Sequence, residues 1–129
     1  MDVKTSIFVT TQKIGYHAWF AAPAEVDFLR NVHRHIFYIK VWIELLEHND
    51  REIEFFMFKR LLNTAVSRVW DKTGLGSPKN KAGYSCEMLA DNLYFHIQKE
   101  YPNRTIIIEV NEDNENGAVK TYPGKSKVI

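Results

Sequence analysis

The segment from His33 to Leu45 constrains the fold most strongly, because its side chains alternate in character with a period of two. That period is typical of a β-strand, whose successive side chains point to opposite faces of the sheet. The odd-numbered positions form the more apolar face, and they include His33 and His35. The even-numbered positions carry three more large side chains, Ile36, Tyr38 and Trp42. We therefore predict a strand that is covered on both sides or whose outer face meets another subunit.

Three other segments have the composition of β-strands. Residues 4–11, 104–110 and 118–122 are rich in β-branched and aromatic side chains, and a further apolar stretch spans residues 14–22. The polar segment 111–117 separates the last two strands and is predicted to be a turn. The chain therefore begins and ends with a pair of strands.

Two helices are predicted between these pairs of strands. Apolar side chains recur every three or four residues from Phe55 to Val69, as on one face of a helix. The second helix is predicted to begin after Ser85, a good N-cap, and to end at Tyr101, because Pro102 follows. Residues 72–83, with three Gly, one Pro and three Lys, are predicted to be a loop. The order β-β-α-α-β-β predicts an α+β fold, a four-stranded antiparallel sheet with both helices on one face.

Composition limits the classes of function. The 129 residues suit a single domain, residues 1–122, followed by a short basic tail, residues 123–129. Seventeen Lys and Arg against sixteen Asp and Glu leave no domain-wide positive field for nucleic-acid binding. Five Lys in residues 72–81 and 125–127 keep that function as an alternative, although solvated charge explains them as well. The lone Cys86 excludes an internal disulfide and is predicted to be a small buried side chain.

The sequence also lacks the patterns expected of a membrane or secreted protein. No apolar run approaches the roughly 20 residues that a membrane-spanning helix needs. The first residues do not contain the apolar core of a secretory signal. We therefore expect a soluble cytoplasmic protein without a membrane partner.

Three histidines are candidates for a metal site: His17, His33 and His35. Residues two apart on a strand point the same way, so two of these imidazoles can reach one ion, and the third could complete the set from the preceding strand. Three imidazole nitrogens and a water form an open zinc site of the catalytic kind. The alternative is a set of partly buried or interface histidines that hydrogen-bond to carbonyl groups.

Four short motifs, in order along residues 4–122, extend this interpretation. Residues 15–19 read GYHAW, residues 33–37 read HRHIF, residues 84–90 read YSCEMLA, and residues 108–113 read IEVNED. Their order and spacing resemble the motifs F-x-A-A-H-x-L, H-G-H-N-Y, P-T-x-E-N-L-A and V-x-V-x-E-T. These motifs belong to the 6-pyruvoyltetrahydropterin synthase and 6-carboxytetrahydropterin synthase family, whose fold is the tunnelling fold.

The resemblance implies roles for individual residues. It implies Zn²⁺ bound by three histidines, His17, His33 and His35. Glu112 corresponds to the carboxylate that grips the amino group and ring nitrogen of the pterin, a task that needs an ionised acceptor pair. Ser85 and Glu87 lie at the helix entry that contributes to substrate binding. The alternatives are an ordinary acidic turn residue for Glu112 and a first-turn residue favoured by the helix dipole for Glu87.

The sequence departs from the family in its proton-transfer groups. Family enzymes carry a Cys shortly before the paired histidines, but residues 27–32 contain none. The family's Asp-His pair corresponds to Asp71 and Lys72, so the Asp is kept and the His is replaced. Asp27 or Glu25 could supply a carboxylate base and Lys72 an acid. The alternative is that all of these are solvated surface charges.

The resemblance implies a zinc-dependent carbon–oxygen lyase of tetrahydropterin or 7-deazaguanine precursor synthesis. Its substrate would be dihydroneopterin triphosphate or a related pterin, and its proton relay would be unusual. It also implies a homo-oligomer, expected to be a hexamer, with sites at the subunit interfaces. Loss of the Cys and His favours the alternative, a protein on the same scaffold that binds a pterin or purine-like ligand without turning it over.

Overall fold

The computed structural model describes residues 3–47, 50–79 and 83–124. Its elements are β1 (Ser6–His17), a 3-10 helix (Ala24–Arg30), β2 (His33–Glu44), α1 (Phe55–Thr73), α2 (Cys86–Ile97), β3 (Ile106–Glu112) and β4 (Asn116–Tyr122). Within the described residues the strands form one antiparallel sheet in the order β1-β2-β3-β4. The predicted α+β fold is therefore confirmed. Of the predicted basic tail, only residues 123 and 124 are described, and the lysines of 125–127 lie outside the described part.

Several predicted boundaries need correction in the strands. β1 is one strand that continues to His17, so the apolar stretch predicted at 14–22 is not a separate element. β3 continues through Glu112, which pairs with Phe37 on β2 and Asn116 on β4, although a turn was predicted from residue 111. The hairpin tip is therefore short, and two of its residues, Asp113 and Asn114, have φ values of 57° and 60°. Asp and Asn tolerate this left-handed conformation better than most residues, which explains the tight reversal.

The helix ends also differ from the predictions. α1 extends through Lys72 to Thr73, into the segment predicted to be a loop, and ends where Gly74 adopts a left-handed φ of 73°. The predicted N-cap of α2 is confirmed, because Ser85 Oγ accepts a hydrogen bond from the backbone N–H of Met88 at 3.1 Å. α2 ends at Ile97, four residues before the predicted end at Tyr101, and the chain continues in turns.

Both helices pack on the sheet face formed by the odd-numbered residues of β2. Phe37, Ile39, Val41 and Ile43 are at most 1% exposed, as the alternation predicts. α1 packs on β1, and α2 packs on β3 and β4. The inward face of the sheet and the helices therefore enclose one hydrophobic core.

The opposite, outward face of the sheet is open to solvent in the single chain. Phe8 and Val119 are 53% and 59% exposed, and Ile14 is 44% exposed. The Lys40 ammonium lies 4.3 Å from the ring centroid of Phe8 and 4.7 Å from that of Trp42. The two helices therefore cover only one side of β2. Neither they nor any other described helical segment is long and apolar enough to cross a membrane.

Candidate metal centre

The three candidate histidines lie at one end of the sheet, on its inward face. His17 is the last residue of β1 and pairs directly with His33, the first residue of β2. His35 lies two residues further along β2 and therefore points to the same face. Glu112, at the end of β3, pairs with Phe37 and brings a carboxylate to the same place. The antiparallel register thus brings together four residues from three different strands.

The imidazole rings are close enough to share one ion. One ring nitrogen of each of His17, His33 and His35 lies within 4.8 Å of those of the other two. The ring centroids are 4.7 Å, 5.2 Å and 4.9 Å apart for the pairs 17–33, 17–35 and 33–35. The prediction that these three side chains come together is therefore confirmed.

The hydrogen bonds of the Nδ1 atoms orient the rings. Nδ1 of His17 lies 2.7 Å from the carbonyl oxygen of Tyr84, and Nδ1 of His33 lies 2.7 Å from that of Asn31. Nδ1 of His35 lies 2.7 Å from Oδ2 of Asp113. Carbonyl and carboxylate oxygens only accept hydrogen bonds, so each Nδ1 carries the proton and donates it. In a neutral imidazole this leaves Nε2 with its lone pair available. In His17, Nε2 also lies 3.0 Å from Oε2 of Glu112, and a hydrogen bond donated there requires the protonated ring, so a bound metal would displace that proton.

These residues fit a zinc ion. Metal-binding histidines typically donate their other N–H to a carbonyl or carboxylate, as all three do here. Nε2 of His35 is buried and has no hydrogen-bond partner, so one polar atom of the cluster is unsatisfied in the protein alone. Three imidazoles are a donor set that zinc accepts readily, with a fourth position open.

Asp113 is a residue of the candidate site that the sequence interpretation overlooked. Its Oδ2 contacts His35, and its Oδ1 accepts a hydrogen bond from the backbone N–H of Ile36 at 2.8 Å. Its own N–H donates to the Ile36 carbonyl at 2.8 Å, so backbone and side chain together fix it beside β2. The only indication of this role in the sequence is that Asp113 directly follows Glu112, the last residue of β3. It could be recognised only once β3 was known to pair with β2.

A glycine makes room beside the histidines. Gly15 pairs with His35 across the β1–β2 ladder and is buried. A Cβ atom at this position would lie 2.8 Å from the Phe37 ring and 3.0 Å from a methyl group of Leu75. The same region of β1 is held to the end of α1, because Trp70 Nε1 donates to the Ile14 carbonyl at 2.9 Å and the Tyr16 N–H donates to the Leu75 carbonyl at 2.8 Å. The tightly packed end of α1 thus supports the end of β1 that carries His17.

Glu112 is electrostatically linked to the histidines. Its Oε2 lies 3.0 Å from Nε2 of His17, and its Oε1 lies 3.7 Å from Nε2 of His35. The hydrogen bond from His17 holds the pKa of Glu112 below its usual 4.5, although burial acts in the opposite direction. Burial by itself lowers the pKa of His17, but the hydrogen bonds to Glu112 and to the Tyr84 carbonyl outweigh it and raise this pKa above 6.5. The carboxylate is therefore ionised beside the candidate metal position.

A cavity of about 490 Å³ opens beside this cluster, within the size range of small-molecule sites. Among the residues that line it are His17, His33, Ser85, Glu87 and Glu112. The structure thus brings the three residues predicted to bind substrate to the same cavity as two of the predicted zinc ligands. The start of α2 forms one wall of this cavity.

Cys86 also lines the cavity, at the first residue of α2. It is 6% exposed, which confirms the predicted buried side chain. Burial, and then the negative charges of Glu112 and Glu87, raise the pKa of its thiol to about 12. A thiol held protonated in this way is a poor nucleophile and a poor base.

The predicted proton-transfer groups lie elsewhere. Asp27 and Glu25 are exposed residues of the 3-10 helix, and Asp71 and Lys72 are exposed residues of the last turns of α1. None of these four side chains is among the residues that line the cavity. The single chain therefore does not bring them together with the histidine cluster.

No protein-family model and no curated protein sequence matches this chain. The geometry of the histidine cluster and its cavity therefore carries the functional conclusion.

Proposed function

We propose that this protein is a zinc-dependent lyase that acts on a pterin, either dihydroneopterin triphosphate or a related compound. The observation that carries the proposal is the convergence of three imidazoles, each with its Nδ1 anchored by a carbonyl or carboxylate, beside a ligand-sized cavity that two of them, His17 and His33, line. The motif resemblance to the tetrahydropterin synthase family supports the choice of a pterin. The lone buried Cys86 suits a reducing cytoplasm, where we place the protein.

The residues around the cavity have distinct tasks in this proposal. His17, His33 and His35 would hold Zn²⁺, which as a Lewis acid supplies polarisation of the side-chain oxygens of the substrate. The ionised carboxylate of Glu112 would accept hydrogen bonds from two adjacent N–H groups of the pterin ring. Glu87 is the other carboxylate among the described residues that line the cavity. Unlike Glu112, it has no ion pair with a histidine of the cluster, and it would be the proton acceptor. Asp27 and Asp71 would act only if another subunit brought them to the site.

We further propose that the protein assembles as a homo-oligomer, with a hexamer as the expected form. The exposed apolar side chains of the outward sheet face support this, because large apolar side chains left exposed on one sheet face are typical of an interface. Phe8, Ile14 and Val119 are examples. Native mass spectrometry tests this proposal directly, and a monomer at micromolar concentration would contradict it.

A second candidate function is supported by the positions of Asp27 and Asp71. Because neither carboxylate lines the cavity, the described residues there lack the relay expected of the family's enzymes. The same cavity would then bind a pterin or purine-like ligand without turnover. Ligand binding without product formation would distinguish this candidate from the lyase.

Elemental analysis of the purified protein followed by an activity assay tests the proposal. We expect near-stoichiometric zinc in the wild type, loss of zinc in His35→Ala, and retention of zinc in the control His96→Ala, whose histidine lies on α2 outside the cluster. We then expect conversion of dihydroneopterin triphosphate or of the unphosphorylated compound by the zinc-loaded wild type only. A folded wild-type protein that binds no zinc contradicts the proposal of a zinc-dependent lyase. Zinc and ligand binding without conversion supports the second candidate.

A further inference from the structure

We infer that Trp19 is the aromatic surface on which the ring of the bound ligand stacks, and that it thereby selects flat heteroaromatic ligands. The inference rests on the proposed function, whose two candidates share a flat pterin or purine-like ring as the ligand. It adds the residue that contacts the face of that ring, and it involves no chemical step. Its basis is the position of Trp19 at the cavity and the way its backbone is fixed there.

Trp19 lies at the cavity, two residues after His17. It is among the residues that line the cavity, and it is 51% exposed in the single chain. The other two tryptophans lie elsewhere in the fold. Trp70 is 3% exposed and donates its Nε1–H to a backbone carbonyl of β1, and Trp42 lies on the outward sheet face with the Lys40 ammonium against its ring. Trp19 is therefore the tryptophan that is placed to contact a ligand beside the histidine cluster.

Hydrogen bonds on both sides of Trp19 fix its backbone. Its N–H donates to the Leu29 carbonyl at 2.7 Å, and its carbonyl accepts from the Ala22 N–H at 3.1 Å. Ala22 is itself 2% exposed, and its carbonyl accepts a hydrogen bond from the Arg30 Nε at 2.8 Å. A segment held in this way loses little backbone entropy when a ligand binds, so more of the contact energy appears as affinity.

The same segment is joined to the chain that leads into α2. Gly83 approaches the residue before Trp19 so closely that a Cβ atom at Gly83 would lie 2.8 Å from the Ala18 carbonyl oxygen. One residue further back, Nδ1 of His17 lies 2.7 Å from the Tyr84 carbonyl oxygen. Both segments line the cavity. Trp19 therefore has a fixed position relative to the histidine cluster and to the start of α2.

Glu112 and Trp19 offer a flat ring two different contacts. The N–H groups of a heteroaromatic ring lie in its plane, so a carboxylate that accepts from them lies at the ring edge. The faces of the ring then need apolar partners, and an indole offers the largest flat surface of any side chain. Leu29 and Met88 add apolar surface to the same cavity. A carboxylate at the edge and an indole at the face together favour a flat ring that carries N–H groups.

Trp19 is also a point at which this chain departs from the motif that it resembles. The motif F-x-A-A-H-x-L has Leu two residues after its His, where this chain has Trp19. A Leu side chain is apolar but has no flat aromatic face on which a ring could stack. Trp19→Leu is therefore an informative substitution, because it keeps an apolar side chain and removes the aromatic ring.

Calorimetric titration of the zinc-loaded protein, in the oligomeric state in which it purifies, tests the inference. The probe is whichever of dihydroneopterin and dihydroneopterin triphosphate binds the wild type more tightly. We expect Trp19→Leu and Trp19→Ala to weaken binding about 5- to 150-fold in Kd, the range typical of a nucleic-acid base stacked on an aromatic side chain. Trp19→Phe keeps a ring and should stay within about threefold of the wild type.

A matched control and a spectroscopic readout sharpen the test. Phe20→Ala is the control, because Phe20 is the next residue, is 55% exposed and does not line the cavity, so it should keep the wild-type Kd. We also expect the bound probe to reduce the tryptophan fluorescence of the wild type more than that of Trp19→Phe, which retains Trp42 and Trp70. The zinc content of every Trp19 variant should equal that of the wild type, because Trp19 lies outside the histidine cluster.

The possible results separate the inference from the proposed function. Wild-type affinity in Trp19→Leu and Trp19→Ala overturns the inference and leaves the proposed function standing. An equal loss in Trp19→Phe and Trp19→Leu also overturns it, since the aromatic ring would not be the cause. So does a Trp19→Ala protein that dissociates into monomers or loses zinc while Phe20→Ala does not, because Trp19 would then pack against another subunit or support His17. Failure of both pterins to bind the zinc-loaded wild type overturns the proposed function and the inference with it.

Discussion

The two ends of the inward sheet face have the same strands and the same register but different chemistry. We call them the core end, with Ile43 and Ile106, and the histidine end, with His17, His33 and Glu112. Ile43 and Ile106 form a cross-strand pair and are 0% exposed. At the histidine end, positions of the same parity carry imidazole and carboxylate groups that are partly open to a cavity. The face is therefore one continuous surface whose character changes along its length.

The difference follows from what covers each end. α1 and α2 cover the core end with fully buried side chains such as Leu62 and Leu89, which belong to the same hydrophobic core. The histidine end faces the 3-10 helix, in which no residue is buried, and the first turn of α2. The backbone carbonyls of Asn31 and Tyr84 therefore reach the imidazoles. Hydrophobic packing stabilises one end, and directed hydrogen bonds organise the other.

The largest effect that would sharpen this comparison is a truncation at the core end. Ile43→Ala should lower the free energy of unfolding by about 2–5 kcal/mol, because it leaves a cavity in a fully buried site. The matched control is Ile14→Ala on the outward face, where the side chain is 44% exposed in the single chain, and at a dilution that keeps the protein monomeric it should cost less than about 1 kcal/mol. Urea unfolding of the metal-free proteins measures both values. Equal losses for the two variants would contradict the assignment of faces.

The next effect tests the histidine end through metal binding. Binding by four-ligand zinc sites is worth on the order of 10–16 kcal/mol, so loss of one ligand should cost about 3–4 kcal/mol, roughly 200- to 1000-fold in Kd. We therefore expect His33→Ala to bind zinc that much more weakly in a chelator competition titration. Its metal-free stability should stay within about 1 kcal/mol of the wild type.

Ile43→Ala is the complementary control for this experiment. It should keep wild-type zinc affinity in the fraction that remains folded, although its stability is much lower. A His33→Ala protein that loses stability as much as Ile43→Ala, and keeps its zinc, would reverse the comparison between the two ends.

The core end could be predicted from the sequence far better than the histidine end. The period of two in β2 identifies its buried face, because hydrophobic side chains need only the correct parity to enter a core. The parity also places His33 and His35 on that face. Parity does not show which carbonyl or carboxylate receives each Nδ1–H, since those partners come from loops whose paths are not periodic. Asp113 and the Asn31 carbonyl could therefore be identified only from the structure.

Asp27 and Asp71 illustrate the same limit. Their assignment relied on family motifs aligned along a chain that lacks the family's neighbouring Cys and His. Exposed charged residues have no packing pattern that would indicate where their side chains point. The structure places both on the surface, and neither lines the cavity. The facing of residues on the sheet was thus predictable, whereas the positions of exposed charged side chains such as Asp27 and Asp71 were not.

A substitution of Asp113 has a smaller effect and tests how the histidine end is organised. In Asp113→Asn, the side-chain oxygen can still accept the hydrogen bond from the Ile36 N–H. The side-chain NH₂ group would then face Nδ1 of His35. His35 would then have to accept there and carry its proton on Nε2, which leaves that atom without the lone pair that a metal needs. Zinc affinity should therefore fall about 10- to 100-fold.

Glu115→Gln on the same hairpin tip is the control for Asp113→Asn and should keep wild-type affinity, because Glu115 is exposed and outside the cluster. Chelator competition measures both affinities. Unchanged zinc binding in Asp113→Asn would show that the orientation of His35 does not depend on this carboxylate.

The carboxylates of Glu52 and Glu112 differ in their partners in the same way as the two ends of the sheet. Glu52 accepts hydrogen bonds from the backbone N–H groups of Leu46 and Glu47 at 3.0 Å and 2.6 Å. It also accepts one from Arg104, whose Nη1 lies 2.6 Å away. Glu112, in contrast, interacts with the imidazoles of His17 and His35. Glu52 therefore has structural partners near the core end, whereas the partners of Glu112 are candidate metal ligands.

The smallest expected effect distinguishes these two carboxylates by pH. The hydrogen bonds from the Leu46 and Glu47 N–H groups, with the Arg104 contact, lower the pKa of Glu52 from 4.5 to about 2. A group whose pKa is lowered on folding stabilises the fold above its unfolded pKa, and that stabilisation is lost as the pH falls towards the folded value. Glu52→Gln should therefore lower the urea midpoint at pH 7. The difference from the wild type should begin to shrink below about pH 4.5.

Addition of zinc should leave that difference unchanged, because Glu52 does not contact the histidine end. A difference that depended on zinc, or that grew as the pH fell, would show that the two carboxylates are not independent.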